Sequence, residues 1–256
     1  MKTFYSKYKV LLYSFLGVIG FFLVWLISSL IVNSTLYPTP MVTFATLFGL
    51  LGQATTYQGV GMTILSLVIS ISVSFIVGTF FGVLGGVFEG FRAFFKPFIT
   101  VLKAVPTAAV VFFLVVFTRP AMFASVIVTS IITFPVIYEA VVSGFMSIDQ
   151  EILDTLDVDG ANFFKRVFKI YIPLSYKHIL LGMTQVIGLG MKLTIMSEIL
   201  VFDNTMITLG SLIYLNYQYA YMPEIFAYSV IAIAIILLTD LGLYFAKKKL
   251  KKSITK

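Results

Sequence analysis

The chain has no cysteine, one histidine and one tryptophan among 256 residues, and only 11% of its residues are charged. Without cysteine there is no disulfide, no thiolate metal site and no thiol nucleophile. The lone histidine, His178, has no clustered ligands beside it, so neither a metal site nor a proton relay is expected. No carboxylate pair or nucleophile–base constellation stands out, so the chain is not read as an enzyme and no cofactor is implied. The shortage of charge is the most informative lack. A soluble domain carries roughly 25% charged residues. With less than half of that, this chain cannot cover a globular surface in water. The deficit disappears if lipid is the solvent for most of the surface.

What is present agrees. Hydrophobic residues make up 59% of the chain, with 26 Phe. A helix needs about 20 apolar residues to cross the hydrocarbon core. Six runs qualify: 10–32, 59–86, 97–117, 121–142, 179–200 and 225–245. The first two carry no charge. The others carry only Lys103, Glu139, the pair Lys192 and Glu198, and Asp240. The third and fourth runs are separated only by Thr118, Arg119 and Pro120. The first run follows three lysines, but it is longer than a signal core and no small-x-small cleavage site follows it, so it is read as an uncleaved span. The reading is one transmembrane domain over 1–256, all-α and integral to the membrane.

Lysine and arginine set the orientation. The N-terminus, the loops 87–96 and 143–178 and the tail from Ala246 together hold fifteen. The intervening loops hold one, Arg119. Six transmembrane helices with both termini cytoplasmic satisfy that asymmetry. The net charge of +7 is placed for anionic lipid at the ends of apolar runs, not for nucleic acid. On the outer side, Pro38 and Pro40 exclude regular helix before residue 41, and 41–51 resumes as a short interfacial helix. Residues 204–223 hold four tyrosines and no Lys or Arg, as an interfacial aromatic belt does.

The segment 143–178 is long for a plain connection, and its composition divides in two. Residues 149–159 are acidic, with Ser147 or Asp149 able to cap a helix there. Gly160 is placed to end that helix. Residues 162–171 are basic and aromatic, with Phe163, Phe164, Val167, Phe168 and Tyr171 expected on one stripe. Pro173 is expected to stop this second helix before the fifth span. Two short helices joined at a glycine form a knuckle suited to a groove on another protein.

Here the residues resemble a known family. Gly160 is followed after nine residues by Ile170, then Tyr171, then Ile172-Pro173. This spacing is that of the ATPase-docking loop of ABC importer permeases, whose pattern opens on Glu-Ala-Ala. Asp154-Thr155-Leu156 stands in that place, keeping the acid and replacing both alanines, and Ala161 after the glycine is also like the family. Tyr37-Pro38-Thr39-Pro40 with Val42 and Leu47, Ala104–Ala109 around Pro106, and Ser197-Glu198-Ile199 are similar to segments of the nitrate/sulfonate/taurine permease group. The resemblance implies a type I ABC importer (MetI-like) permease fold, in the plasma (inner) membrane of a prokaryote. It implies a docking loop carried by Asp154, Thr155, Leu156, Gly160, Ala161, Asn162, Ile170 and Pro173. It implies three partners: cytoplasmic ATP-binding subunits, a second permease subunit in a homodimer, and an external or periplasmic substrate-binding protein that delivers a small nutrient. The chain has no Gly-x-x-x-x-Gly-Lys-Ser/Thr phosphate loop, so ATP hydrolysis falls to the partner. The other readings are a stand-alone secondary transporter and the scaffold subunit of an energy-coupling vitamin importer.

Ionisable groups at membrane depth are functional candidates by default. Lys192 and Glu198 are candidates for the translocation pathway. Six residues are about 600° of helix, which puts the two some 120° apart, so they do not pair with each other. Lys103 and Glu139 lie toward the same end of adjacent spans and are candidates to pair. Asp240 reads as structural.

Overall fold

A computed structural model describes residues 2–32, 34–117, 121–153, 162–202 and 205–254, with side chains throughout except at 2–8, 10, 11, 115–117, 121, 122 and 246–254. Every regular element among them is helical. In order they are α1 (Lys2–Val32), α2 (Pro40–Leu50), α3 (Ala54–Val87), α4 (Glu89–Ala104), α5 (Thr107–Phe117), α6 (Ala121–Met146), α7 (Phe163–Leu200), α8 (Leu209–Gln218) and α9 (Met222–Ile254). Five of these are long and apolar enough to cross a membrane, or up to six spans if the bent pair α4–α5 is counted as one.

That bent pair departs from the expected third span. Residues 97–117 do not form one straight helix, because α4 and α5 meet at 94°. Pro106 is the cause. It has no N–H to continue the ladder, and its ring forces the residue before it out of the helical region. Val105 is accordingly extended, with φ −69° and ψ 129°. The α4 limb is tied to α6 by the ammonium of Lys103, which lies 2.8 Å from each carboxylate oxygen of Glu139. The pairing expected from the sequence is therefore present.

In lipid there is little hydrophobic drive between helices, so they associate where backbones can approach closely. Helix α3 carries the means. Ser66, Ser70, Ser74, Gly78 and Gly82 recur every four residues and all are buried. A Cβ at Gly78 would lie 2.7 Å from Cβ of Ile137, and one at Gly82 would lie 2.7 Å from Cβ of Val141. Those α6 side chains are fully buried. Higher on the same contact, Ser130 donates to the carbonyl of Ser70 at 3.1 Å. On its other side α6 meets α7, where the hydroxyl of Ser197 donates to that of Ser125 at 2.9 Å and Thr129 and Thr194 share a hydrogen bond at 3.3 Å. Any side chain at Gly182 would collide with Ala140. The centre is therefore α3–α6–α7, joined by small and hydroxyl residues.

Helix α1 stands at the edge. Its side chains from Leu12 to Val32 are mostly exposed, as a lipid-facing helix requires. It is held near its C-terminal end by Trp25, whose Nε1 donates to the carbonyl of Pro38 at 3.1 Å and whose ring stacks on Phe226. The short helix read at 41–51 is α2, capped by Thr39 with Pro40 in its first turn.

The α3–α6 contact yields a prediction. Gly82→Val should lower stability by about 1–3 kcal/mol through overpacking. Gly61→Val, where a Cβ meets nothing within 4 Å, should change it far less. Thermal unfolding of the purified variants in one detergent checks this. Equal shifts for the two would rule out the close approach.

Candidate functional site

Two regions hold the sequence-derived candidates: the segment after α6, and the body of α7. Helix α6 ends at Met146, where the hydroxyl of Ser147 turns back to the carbonyl of Gly144 at 2.7 Å. A helical turn begins again at Gln150. Asp154, Thr155, Leu156, Gly160 and Ala161 lie outside the described residues. Description resumes at Asn162, which precedes the first turn of α7 in an extended conformation.

The basic-aromatic piece is helical but does not present one stripe. Val167 is buried and Tyr171 packs on Phe145 at 4.9 Å, while Phe164 and Phe168 are 72% and 65% exposed. Phe163 stacks on Phe88 at 5.8 Å, which ties the start of α7 to the end of α3. The aromatic set thus splits into an inward group that anchors and an outward pair flanked by the exposed Lys165 and Lys169.

Pro173 does not stop the helix, contrary to expectation. Residues 163–200 run as one helix of 38 residues. In an α-helix the ring of Pro173 would meet the carbonyl of Lys169. Instead Val167–Tyr171 form a π-helical turn, with the N–H of Ile172 donating to the carbonyl of Val167. The wider turn moves the ladder out of the proline's way. Ile170 lies within it, half-buried, and Pro173 follows it, exposed. His178 is exposed one turn further on.

Further along α7 the two charged candidates point to opposite environments. Glu198 is 2% exposed. Its Oε2 accepts from the hydroxyl of Thr63 on α3 at 2.7 Å and from the N–H of Gly210 on α8 at 3.2 Å. Thr63 in turn accepts from the N–H of Leu209 at 2.9 Å. The N–H of Ser211 donates to the Thr208 hydroxyl, and the N–H of Thr208 to the Ser211 hydroxyl. All four donors that open α8 are thereby satisfied, two by its own capping box and two by groups from α3 and α7. A carboxylate at a helix N-terminus also meets the positive end of the helix dipole. Gly210 makes this contact possible, because a side chain there would collide with Cβ of Glu198 and lie 2.9 Å from the carbonyl of Ile195.

Lys192 has none of this. It is exposed on α7 in line with Leu181, Gln185, Leu189 and Met196, which are exposed too. The remaining faces of the helix are largely buried against α3, α6 and α8. A lysine turned to lipid at the centre of a span costs about 2.5–3.5 kcal/mol. Asp240 reaches α7 from α9, with its Oδ1 lying 3.2 Å from where a Cβ on Gly188 would stand.

Thr63 and Gly210 were not singled out in the sequence, and both are essential to the Glu198 arrangement. Thr63 sits one turn before Ser66 on the small-residue face of α3, a signal of burial but not of partner. Thr208 and Ser211 at a spacing of three mark the start of a capped helix.

With this geometry in place, comparison with known proteins is decisive. Residues 77–255 match the model of the family described as binding-protein-dependent transport system inner membrane component. The chain belongs to that family. It is a multi-pass membrane permease component of the ABC importer type, in which ATPase activity resides in partner subunits. Among curated proteins it is similar to the putative molybdenum transport system permease protein YvgM of Bacillus subtilis (strain 168), at 36% identity over 70 residues. That match spans 26% of this chain and 31% of the relative's length. Among solved structures, the inward-facing MetNI methionine ABC transporter aligns with TM-score 0.65 at 16% identity, over 78% of this chain and 96% of that one. A bacterial ABC transporter involved in the import of the acidic polysaccharide alginate aligns with TM-score 0.67 at 18% identity, over 95% of this chain and 96% of that one. At such identities the structural likeness shows the permease fold, the all-α MetI-like architecture expected from the sequence.

The Glu198 clasp can be tested directly. Thr63→Val leaves a buried carboxylate and the N–H of Leu209 each short of a partner, and should cost about 1.5–3 kcal/mol. Thr63→Ser keeps the hydroxyl and should retain most of the stability. The melting temperatures of both variants in detergent decide it, and equal losses would exclude the hydrogen-bonded role.

Proposed function

We propose that this chain forms half of the translocation pathway of an ATP-driven importer in the inner membrane of a prokaryote. Its spans run at about 10–32, 59–86, 97–117, 121–142, 179–200 and 225–245, with both termini cytoplasmic. It pairs with a second copy, and ATP-binding subunits dock on the cytoplasmic loop at 143–178. An external binding protein delivers the cargo at the end that carries α2 and α8. The supporting observation is the start of α7. There Phe163, Val167 and Tyr171 fasten the helix to the bundle, while Phe164 and Phe168 stay outside with Lys165 and Lys169 beside them. Exposed aromatics on a rigid, anchored helix are what a docking contact uses. The docking residues are Asp154, Thr155, Leu156, Gly160, Ala161, Asn162, Ile170 and Pro173, by the spacing that they share with the family's loop.

The exposed α7 face with Lys192 borders the pathway, which gives a mid-membrane cation the polar surroundings that lipid denies it. Glu198 holds α8 over the end of the same helix, at the mouth of the pathway. The cargo is a small nutrient. The likeness of 37–47, 104–109 and 197–199 to nitrate/sulfonate/taurine permeases and the relative named for molybdenum transport both favour this reading.

Docking is tested by co-purification. Phe164→Asp and Gly160→Trp should each reduce recovery of the ATPase subunit with the permease by about tenfold or more, the scale of an interface hot spot. Phe15→Asp is avoided as a control because it charges a lipid-facing helix; Phe15→Ala should leave recovery unchanged. Intact assembly in both loop variants would refute the assignment, as would ion-driven flux in proteoliposomes that contain this chain alone.

A further inference from the structure

We propose that the exposed face of α7 is itself an anion-binding site. Lys192 supplies its cation and Gln185 a neutral donor two turns away, and together they hold the negatively charged group of the cargo in passage. This rests on the reading of that face as part of the pathway, and adds a selectivity element on the permease to whatever the delivering protein provides.

Leu181, Gln185, Leu189, Lys192 and Met196 fall within an arc of about 80° at 100° per residue. All five are exposed, whereas Gly182, Val186, Gly190, Leu193 and Ser197 on the adjoining arc are buried. Gln185 and Lys192 are the polar members of the exposed arc, and neither has a hydrogen bond or ion pair among the described residues.

Snorkelling does not account for Lys192. The nearer end of α7 is Leu200, eight residues or about 12 Å away. Side chains on a helix lean toward its N-terminus, so Lys192 leans away from that end and toward the middle of the span. An internal salt bridge does not account for it either. Glu198 lies on another side of the helix, buried, with its Oε2 held by Thr63 and Gly210. The Glu139 carboxylate is held by Lys103. Among the described residues, the one carboxylate that borders the face is that of Asp240, which meets α7 at Gly188, a turn closer to its N-terminus, and forms no ion pair with Lys192.

An ammonium offers three donors and a compact charge without fixed geometry. It suits a carboxylate, a sulfonate or an oxyanion equally, and releases each more readily than a bidentate guanidinium would. A site of passage needs that kind of hold, favourable enough to enter and weak enough to leave.

The absence of native cysteine allows a direct test. Leu189→Cys or Met196→Cys would replace the native permease in its host, with the whole transporter assembled, and membranes would be treated with two thiol reagents of opposite charge. These are 2-sulfonatoethyl methanethiosulfonate and 2-(trimethylammonium)ethyl methanethiosulfonate, with each rate normalised to that on a free thiol. The anionic reagent is expected to react faster by about tenfold or more, as in clefts that focus a field of one sign. Adding Lys192→Gln should remove that preference and Lys192→Arg should keep it. Equal rates for the two reagents, or a preference that survives Lys192→Gln, would overturn the anion site while leaving the pathway reading intact. Failure of either reagent to reach both cysteines would overturn the two together.

Discussion

The close contact of α3 with α6 is the constraint on which the rest of the molecule depends. In water the two helices would be driven together by apolar surface. In lipid that force is absent, and what remains is dispersion between surfaces that fit and hydrogen bonds between groups that have no other partner. Five small residues at intervals of four give α3 a groove, and Ile137 and Val141 fill it. Because α6 is seated so deeply, its opposite side is available to α7, and there the same economy of side-chain size recurs at Gly182 against Ala140. The position of α7 follows from these two contacts, and α7 carries Lys192, Glu198 and the described aromatic part of the segment after α6.

The hydroxyls of this centre have a second role. A serine or threonine inside a membrane helix can return its proton to its own backbone, as Ser70 does to the carbonyl of Ser66 and Thr133 to that of Thr129. Those groups are neutralised locally and hold nothing together. Ser130, Ser197 and Thr63 instead reach across to neighbouring helices. Thr63 is the most consequential, because one oxygen serves a carboxylate and a helix start at once. The clasp it forms ties three elements through a buried carboxyl group, and removing either partner leaves buried polar atoms unpaired.

Much of this was legible in the sequence, for reasons that can be stated residue by residue. The spans were visible because charge is missing from them, and the pairing of Lys103 with Glu139 because the two charges lie toward the same end of adjacent runs. The separation of Lys192 from Glu198 followed from the helical angle alone. The bend at Pro106 carried a local signal too, but hydropathy averages over it and reads one run where the backbone turns by 94°. Pro173 misled for the opposite reason: its rule is written for the α-helix, and five residues in π geometry evade it. Nothing local could reveal that Glu198 is met by Thr63, since 135 residues separate them. The small-residue period on α3 was readable and would have identified the face that carries Thr63, though not which carboxylate it meets.

The unbroken course of α7 has a mechanical consequence. At 1.5 Å per residue its 38 residues span about 57 Å, more than the thickness of a hydrocarbon core. One end carries the exposed Phe164 and Phe168, and the last three turns carry Lys192 and then Glu198 in its clasp with α8. A helix stopped at Pro173 would have placed a joint between the first of these and the others, where displacement of the loop end would dissipate. The π-helical turn keeps the hydrogen-bonded rod continuous through the proline. Under the proposed docking at the aromatic end, one continuous helix joins that contact to the face that bears Lys192 and, through the hydrogen bond of Gly210 to Glu198, to α8.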